Sequence, residues 1–188
     1  EEWKTEADRA YRSGDFAKSI ELTDRVLSAN GNDHVALYLR GSAKVELGSQ
    51  QQNAKSIREG IADAREAIRI VNRVKIDYYL PYLYGMSMLT AVENKPSHAE
   101  TARDVAAELL AMDRVTIPEK ANIAYQRGLL NIQLQDNAAA IADFDKAIEY
   151  EPRHLAAYLT RCDLMLSNGQ QPQEVEQAFA KIIEQFPE

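Results

Sequence analysis

The chain has 188 residues, 45% of them apolar, and its 29 acidic against 22 basic residues give a formal net charge of −7. A chain of this size can build one self-supporting core without disulfides or metals. The acid excess argues against a nucleic-acid partner, which requires clustered Lys and Arg to neutralise phosphates. No apolar run reaches the roughly 18 residues of a membrane span, and the N-terminus lacks the basic-then-apolar order of a signal peptide. The compartment stays open: cytoplasmic, or periplasmic or secreted if a signal has been removed.

Eight Gly and six Pro punctuate segments rich in Ala, Leu, Glu and Gln, which favours helices over strands. Asp15 is expected to cap the first of several one-faced helices, and Pro118 and Pro172 suit first helical turns. Apolar residues recur at helical spacing in three clear segments. These are Ile57, Ile61, Ala64 and Ile68; Ile141, Phe144 and Ile148; and Val175, Ala178, Phe179, Ile182, Ile183 and Phe186. The pattern predicts an all-α protein.

The chain also contains an internal repeat. Aligning Arg127-Gly128 on Arg40-Gly41 brings Ile141-Ala142-Asp143 onto Ile61-Ala62-Asp63. Small residues recur where the first helix of each unit is expected to cross the second, with spacings of 34, 44, 43 and 34 residues. They are Ala7, Gly41, Gly85, Gly128 and Cys162. Residues between Gly48 and Gly60 exceed the repeat length, which predicts a second helix extended backwards over 53–70.

The unit from Ala121 to Arg153 resembles a tetratricopeptide repeat, through Gly128, Ala140-Ile141, Phe144, Ala147-Ile148 and Pro152. The first unit is similar through Trp3, Ala7, Tyr11 and Gly14-Asp15-Phe16, and the last through Tyr158, Gly169, Phe179 and Pro187. The resemblance covers nearly the whole chain. It implies a right-handed α-solenoid of stacked antiparallel helix pairs, in one domain with units 1–33, 34–76, 77–117, 118–153 and 154–188.

Two charged pairs recur outside the usual consensus of that family. Arg40 and Arg127 occupy the first helix of units whose second helix carries Asp63 and Asp143, respectively. We expect a salt bridge within each unit, although both Arg heads could instead be solvated. Arg161 is expected to be an exception, since Gln177 stands opposite.

The sequence offers little for catalysis. His34, His98 and His154 lie in or beside predicted turns, and no zinc-protease, nucleophile-elbow or phosphate-loop motif occurs. Cys162 is expected to be a small buried residue, because no His or Cys partner lies at a motif spacing. We therefore predict a protein that is not an enzyme, with no cofactor and no metal site.

By the same resemblance, the first helix of each unit lines a concave groove that takes an apolar or aromatic-containing peptide or a partner helix. The predicted lining is Tyr38, Val45, Tyr79, Tyr82, Met86, Leu89, Tyr125, Leu129 and Ile132. Tyr38, Tyr82 and Tyr125 are expected at the same place in successive units, forming a ladder. Two alternatives remain: these Tyr rings only pack against the neighbouring unit, or the chain forms homo-oligomers through the same face or the 49–60 insertion.

Overall fold

The computed structural model describes residues 2–71, 75–169 and 172–185, and within them it contains ten α-helices and no strand. A short 3-10 turn over Ile76–Tyr78 precedes the fifth helix. The helix bounds are α1 Glu2–Arg12, α2 Phe16–Ala29, α3 His34–Gln50, α4 Ala54–Ile70, α5 Tyr79–Glu93, α6 Pro96–Leu110, α7 Ile117–Gln133, α8 Asn137–Tyr150, α9 Leu155–Ser167 and α10 Pro172–Gln185.

Side-chain caps define where several of these helices begin. The Asp15 carboxylate accepts a hydrogen bond from the Lys18 N–H at 3.0 Å, as the sequence predicts. Asp33 and Asn53 cap α3 and α4 in the same way. The Asn53 cap fixes the start of α4, so the extended second helix predicted over 53–70 is confirmed, and the extra length is shared with the 17-residue α3.

The chain forms two compact units, residues 1–98 and residues 99–188. In the first, α1, α3 and α5 pack side by side, while α2 packs on α1 and α3 and α4 packs on α3 and α5. In the second, α7, α8, α9 and α10 pack consecutively. The predicted all-α fold of stacked helix pairs is confirmed.

Glycines allow two of these pairs to approach closely. A Cβ at Gly41 would lie 2.8 Å from the Gly60 carbonyl oxygen on α4, and one at Gly128 would lie 2.5 Å from the Phe144 ring on α8. Gly85 behaves differently, because its Cβ would meet Ile61 at 2.8 Å and Val45 at 3.1 Å, both in the preceding pair. Gly85 therefore marks a close approach of α5 to the preceding pair.

Both expected salt bridges are present. Arg40 donates from Nε and a terminal nitrogen to the two Asp63 oxygens, each at 2.7 Å. Arg127 donates from Nε to both Asp143 oxygens at 3.0 Å and makes a further short contact through a terminal nitrogen. Arg161 stands outside this within-pair pattern, as expected, because its Nε donates instead to Asp145 on α8, in the preceding pair, at 2.6 Å.

Cys162 is buried, and it packs with Met165, Val175 and Ile141. Burial also raises the pKa of its thiol, which keeps the sulfur protonated. The prediction of a small buried residue is confirmed.

Candidate functional site

The first helices of residues 1–98 share a face on which tyrosine hydroxyls gather. The Ser42 hydroxyl of α3 donates to the main-chain carbonyl of Tyr38 at 2.9 Å, and Ser42 is near enough to Tyr11 of α1 and to the Tyr38 phenol to lower their pKa values. One turn further along α3, Glu46 is near enough to Tyr84 of α5 for that residue to lower its pKa. We call Tyr11, Tyr38, Ser42, Glu46 and Tyr84 the tyrosine cluster. Three neighbouring helices contribute to it, so the packing of α1, α3 and α5 sets its geometry.

Glu46 is the only acidic side chain of the tyrosine cluster. It is half-buried, and this burial raises its pKa, while the proximity of Tyr84 acts in the opposite direction. Among the described residues, no Lys or Arg contributes to the environment that sets its pKa. The carboxylate therefore lies partly desolvated without a cation to offset its charge.

The neighbouring tyrosines respond to that charge. Burial, followed by the negative charge of Glu46 and the proximity of Tyr38 and Tyr84, raises the pKa of Tyr11 to about 12. Burial likewise raises the pKa of Tyr84. Both hydroxyls stay protonated at neutral pH.

Tyr38 is held by a residue that the sequence analysis did not single out. Its ring stacks on Tyr78 with centroids 4.8 Å apart and planes inclined by 15°. Tyr78 lies in the 3-10 turn before α5, and its hydroxyl is 2.7 Å from Nδ1 of His34. The position of the Tyr38 ring is thus fixed by its packing against Tyr78.

Tyr82 and Tyr84 of α5 have different surroundings. Tyr82 is close enough to Arg65 of α4 for that positive charge to influence its pKa, although burial has the larger effect and raises it. Tyr84, two residues further along α5, is instead near Glu46 and Ser49 of α3. Two residues advance an α-helix by about 200°, which directs these two rings to different faces. Tyr84 is therefore a further tyrosine near α3 that the sequence analysis did not single out.

Three other predicted groove residues belong to the core. Val45 is 1% exposed, Leu89 3% and Met86 9%. Val45 fills the space between Gly60 and Gly85 and so joins α3 to α4 and α5. These side chains stabilise the pairs from inside and offer no accessible surface to a partner. Tyr79, the first residue of α5, is half-buried.

In residues 99–188 the predicted groove residues Tyr125, Leu129 and Ile132 are partly buried around Phe144. The Tyr125 ring lies 5.7 Å from that of Phe144 and 5.0 Å from that of His154, between centroids. Its hydroxyl is 3.4 Å from the Thr160 hydroxyl on α9. Tyr125 thus packs against the following helix pair, as one of the two alternatives expects.

Three further features of the described residues bear on other kinds of site. No group of three or more His, Cys, Asp or Glu side chains is arranged to hold a metal ion in that part of the chain. An open depression of about 510 Å³ is lined by Asp24, Leu27, Ser28, Gly31 and Arg40. Its only cation, Arg40, already pairs with Asp24 at 2.8 Å and with Asp63, which leaves little binding capacity. None of the described helices combines the length and apolarity needed to cross a bilayer.

A family model of the tetratricopeptide repeat matches residues 97–149 and 125–188. Solved structures match the whole fold. TTC0263, a thermophilic TPR protein of Thermus thermophilus, aligns with a TM-score of 0.78 at 20% identity, covering 100% of this chain and 91% of that one. MamA of Desulfovibrio magneticus RS-1 aligns at 0.62 and 15% identity, covering 97% and 92%. No curated protein matches the sequence.

A third structure is YrrB, described as a TPR protein with an unusual peptide-binding site. It aligns with a TM-score of 0.55 at 15% identity, covering 99% of this chain and 86% of that one. At these identities the three structures establish the shared fold of helix pairs. The tyrosine cluster is a property of this chain's own residues, because it depends on side chains at particular positions of α1, α3 and α5.

Proposed function

The chain belongs to the tetratricopeptide repeat family, and from that premise we propose that it binds a partner peptide across the tyrosine cluster of α1, α3 and α5. The family's fold is that of a protein-interaction scaffold. The finer proposal rests on one observation: Tyr11 and Tyr84, from the two helices that flank α3, both lie near Glu46 on the same face.

Tyrosine suits such a surface for a physical reason. Its ring offers a large contact area with few rotatable bonds, and its hydroxyl hydrogen-bonds to peptide groups. Tyr11, Tyr38 and Tyr84 are each partly exposed, so a bound chain has ring edges and hydroxyls to contact. Of the groove residues predicted within residues 1–98, Tyr38, Tyr79 and Tyr82 retain accessible surface, whereas the buried Val45, Met86 and Leu89 act only as support.

A second contact surface is proposed in residues 99–188. There Tyr125, Leu129 and Ile132 keep part of their surface, and Leu159 of α9 is 44% exposed. The leucine and isoleucine side chains present apolar surface beside the Tyr125 hydroxyl. An apolar or aromatic side chain of a partner matches that chemistry.

The test uses peptides selected from a random dodecapeptide library displayed on phage, because the natural partner is unidentified. Affinities are then measured by titration calorimetry for the wild type, Tyr84→Ala and Tyr82→Ala. Loss of a central aromatic anchor weakens binding by about tenfold or more, so Tyr84→Ala is expected to do so. Tyr82→Ala is the matched control, since it removes the same atoms two residues away on another face, and it should change affinity by less than about twofold.

The proposal fails if both variants, folded by circular dichroism, bind as the wild type does, or if both lose affinity equally. A library selection that yields no peptide on the wild type also contradicts it.

Self-association is a second candidate function, favoured by apolar residues of the last helix pair. Val175 is buried as the helical pattern predicts, but Ile183 is 74% exposed and Leu166 is 54% exposed. The 49–60 segment is a weaker candidate interface, because its one large apolar residue, Ile57, is fully buried. Light scattering separates the candidates: a concentration-independent monomer contradicts self-association, and a dimer lost in Ile183→Glu supports it.

A further inference from the structure

We propose that Tyr78 positions Tyr38 of the tyrosine cluster, and that protonation of His34 releases this contact, so that the cluster binds its peptide more weakly at acid pH. This inference rests on the proposed function and adds its regulation. The Tyr38 ring stacks on the Tyr78 ring with centroids 4.8 Å apart. The position of the Tyr78 ring therefore sets the position of the Tyr38 ring that a peptide meets.

Tyr78 is buried, and two side chains reach its hydroxyl. Only 2% of its surface is exposed, and its ring belongs to an apolar cluster with Leu37 and Ala67. Nδ1 of His34 lies 2.7 Å from the phenol oxygen, and the Lys75 ammonium lies 3.3 Å from it. The same ammonium lies 4.5 Å from the centroid of the ring. Water has little access to this hydroxyl, so a lost partner is not readily replaced.

The directions of the two hydrogen bonds follow from the protons available. An ammonium group only donates, so the phenol oxygen accepts from Lys75, and the phenol proton needs an acceptor of its own. In residues 2–71, 75–169 and 172–185, the group in reach of that proton is Nδ1 of His34. His34 therefore accepts at Nδ1 and carries its proton on Nε2.

Protonation of His34 removes this acceptor. Both nitrogens of an imidazolium ring donate, so the phenol proton of Tyr78 is left without a partner in a buried site. The positive charges of His34 and Lys75 then also meet at one oxygen atom. His34 keeps part of its surface exposed, which lets protons reach it from solvent. The 3-10 turn thereby loses its bond to the start of α3, and the Tyr38 ring loses its fixed support.

The other charged groups described around His34 come from three segments. They are Asp33 before it on the chain, Lys4 of α1, which pairs with Asp33 at 3.0 Å, and Lys75 and Asp77 beside Tyr78. From α2 and α4, apolar side chains pack on the cluster around Tyr78. Among these side-chain types, imidazole is the one that ordinarily changes charge between about pH 5 and 8. Acidification over that range therefore changes the charge of His34 in this network.

The experiment uses a dodecapeptide selected on the wild type at neutral pH, free of His and acetylated at its N-terminus so that the peptide does not titrate. Calorimetry measures its affinity for the full chain at about pH 7.5 and about pH 5.5, for the wild type, His34→Asn and His98→Asn. The Asn amide oxygen can accept from the phenol without titrating. His98→Asn is the matched control, because it removes the one other His of residues 1–98. We expect the wild type and His98→Asn to lose affinity about fivefold or more at the lower pH, and His34→Asn to lose less than about twofold.

Tyr78→Phe separates positioning from folding. This variant keeps the ring on which Tyr38 stacks and lacks the hydroxyl, so its affinity should be reduced at both pH values without further loss on acidification. Its circular dichroism spectrum should match that of the wild type. Nitrogen chemical shifts of the His34 ring should show the proton on Nε2 at neutral pH.

Several results overturn the inference and leave the proposed function standing. They are equal wild-type affinity at both pH values, a pH response that His34→Asn or Tyr78→Phe retains, a response lost equally in His98→Asn, and a His34 proton on Nδ1 at neutral pH. Absence of any selected peptide overturns both the inference and the proposed function.

Discussion

The helix pairs α3–α4 and α7–α8 follow one sequence pattern but close their helices by different means. In both, an Arg-Gly dipeptide on the first helix meets an Asp on the second. Gly41 of the first pair approaches backbone atoms of α4, whereas Gly128 of the second approaches the ring of Phe144. The shared Arg-Gly and Asp pattern therefore determines which residues contact each other. The atoms around each glycine determine whether a larger side chain can be accommodated there.

The ion pairs differ in the same way. Arg40 also pairs with Asp24 of α2 at 2.8 Å, and Lys44 supports Asp63. In α7–α8, Asp143 is supported by a neutral donor, the Asn131 amide, at 2.9 Å. The Asp143 side chain is 5% exposed and that of Asp63 is 12% exposed. The acid of the second pair is therefore less exposed to water, and its arginine has fewer alternative partners among the described residues.

The largest expected effect is from removing the less exposed of the two acids. Asp143→Ala leaves Arg127 and Asn131 without their acceptor and is expected to lower the free energy of unfolding by about 3 kcal/mol or more. Asp63→Ala should cost less, about 1–2 kcal/mol, because Arg40 keeps Asp24. Urea unfolding followed by circular dichroism measures both. Equal losses would show that the additional partner of Arg40 has no energetic role.

A smaller effect should separate the two glycines. Gly41→Ala and Gly128→Ala are each expected to cost about 1–3 kcal/mol through overpacking. Only the cost of Gly128→Ala can be relieved by a second substitution, since Phe144→Leu removes the ring atoms that the new Cβ meets. In urea unfolding, Gly128→Ala should therefore cost less in the Phe144→Leu background than in the wild type. Additive losses would contradict the contact with the ring.

The contribution of the α9 cap to stability should depend on pH. His154 accepts a hydrogen bond at Nδ1 from the Ala157 N–H at 3.2 Å, and burial lowers its pKa below the ordinary 6.5. The unfolded chain then takes up a proton first as pH falls below about 6.5, so this contribution to stability is lost on acidification. Asn at this position caps without titrating. Thermal unfolding of His154→Asn should show a weaker decline between pH 7 and about 5 than the wild type; identical profiles would rule out the His154 cap as the cause.

The smallest expected effect is at Glu46. Its pKa is raised from 4.5 by burial, so the folded state holds the proton more tightly than the unfolded state does. The wild type consequently loses stability as pH rises through that range, and Glu46→Gln does not. We expect the variant to be slightly more stable than the wild type at pH 7, with a smaller advantage at acid pH. A destabilised variant at pH 7 would mean that the carboxylate already has a stabilising partner in the free protein.

Much of the architecture could be predicted from the sequence because it repeats. The Arg-Gly and Asp positions recur in α3–α4 and in α7–α8, which is enough to identify the crossings of these two pairs and both salt bridges. Asp15 could be placed at a helix start from capping chemistry alone, and the 53–70 helix from the residues that exceed the repeat length. Because the repeats can be aligned with one another, these positions can be compared without a second sequence.

Which face of α5 packs against its neighbours could not be predicted from the sequence, for a physical reason. Helix α5 carries apolar residues on all sides, so its pattern does not distinguish one face from another. The register of Gly85 and Tyr82 consequently rested on spacing alone, and the 3-10 turn before α5 changes that spacing. Tyr84 could have been found as a second candidate ring on the same helix, but its contact with Glu46 depends on how α5 packs beside α3.

The isolation of Glu46 could not be read from the sequence either. Glu46 lies one turn after Ser42, which predicts that the two share a face. Whether Lys44, two residues away, neutralises it depends on side-chain direction, and Lys44 turns to Asp63 and to Glu59 at 3.4 Å instead. A charge without a partner is a property of the packed helices rather than of the composition.

The central claim is that the tyrosine cluster binds a partner peptide. The most direct test is to titrate the isotope-labelled protein with a selected dodecapeptide and map the changes in amide chemical shift. The account predicts that the largest changes centre on Tyr11, Ser42, Glu46 and Tyr84, and that they are lost in Tyr84→Ala. Changes concentrated in the acidic residues 99–188, or on the outer faces of α2 and α4, would contradict it.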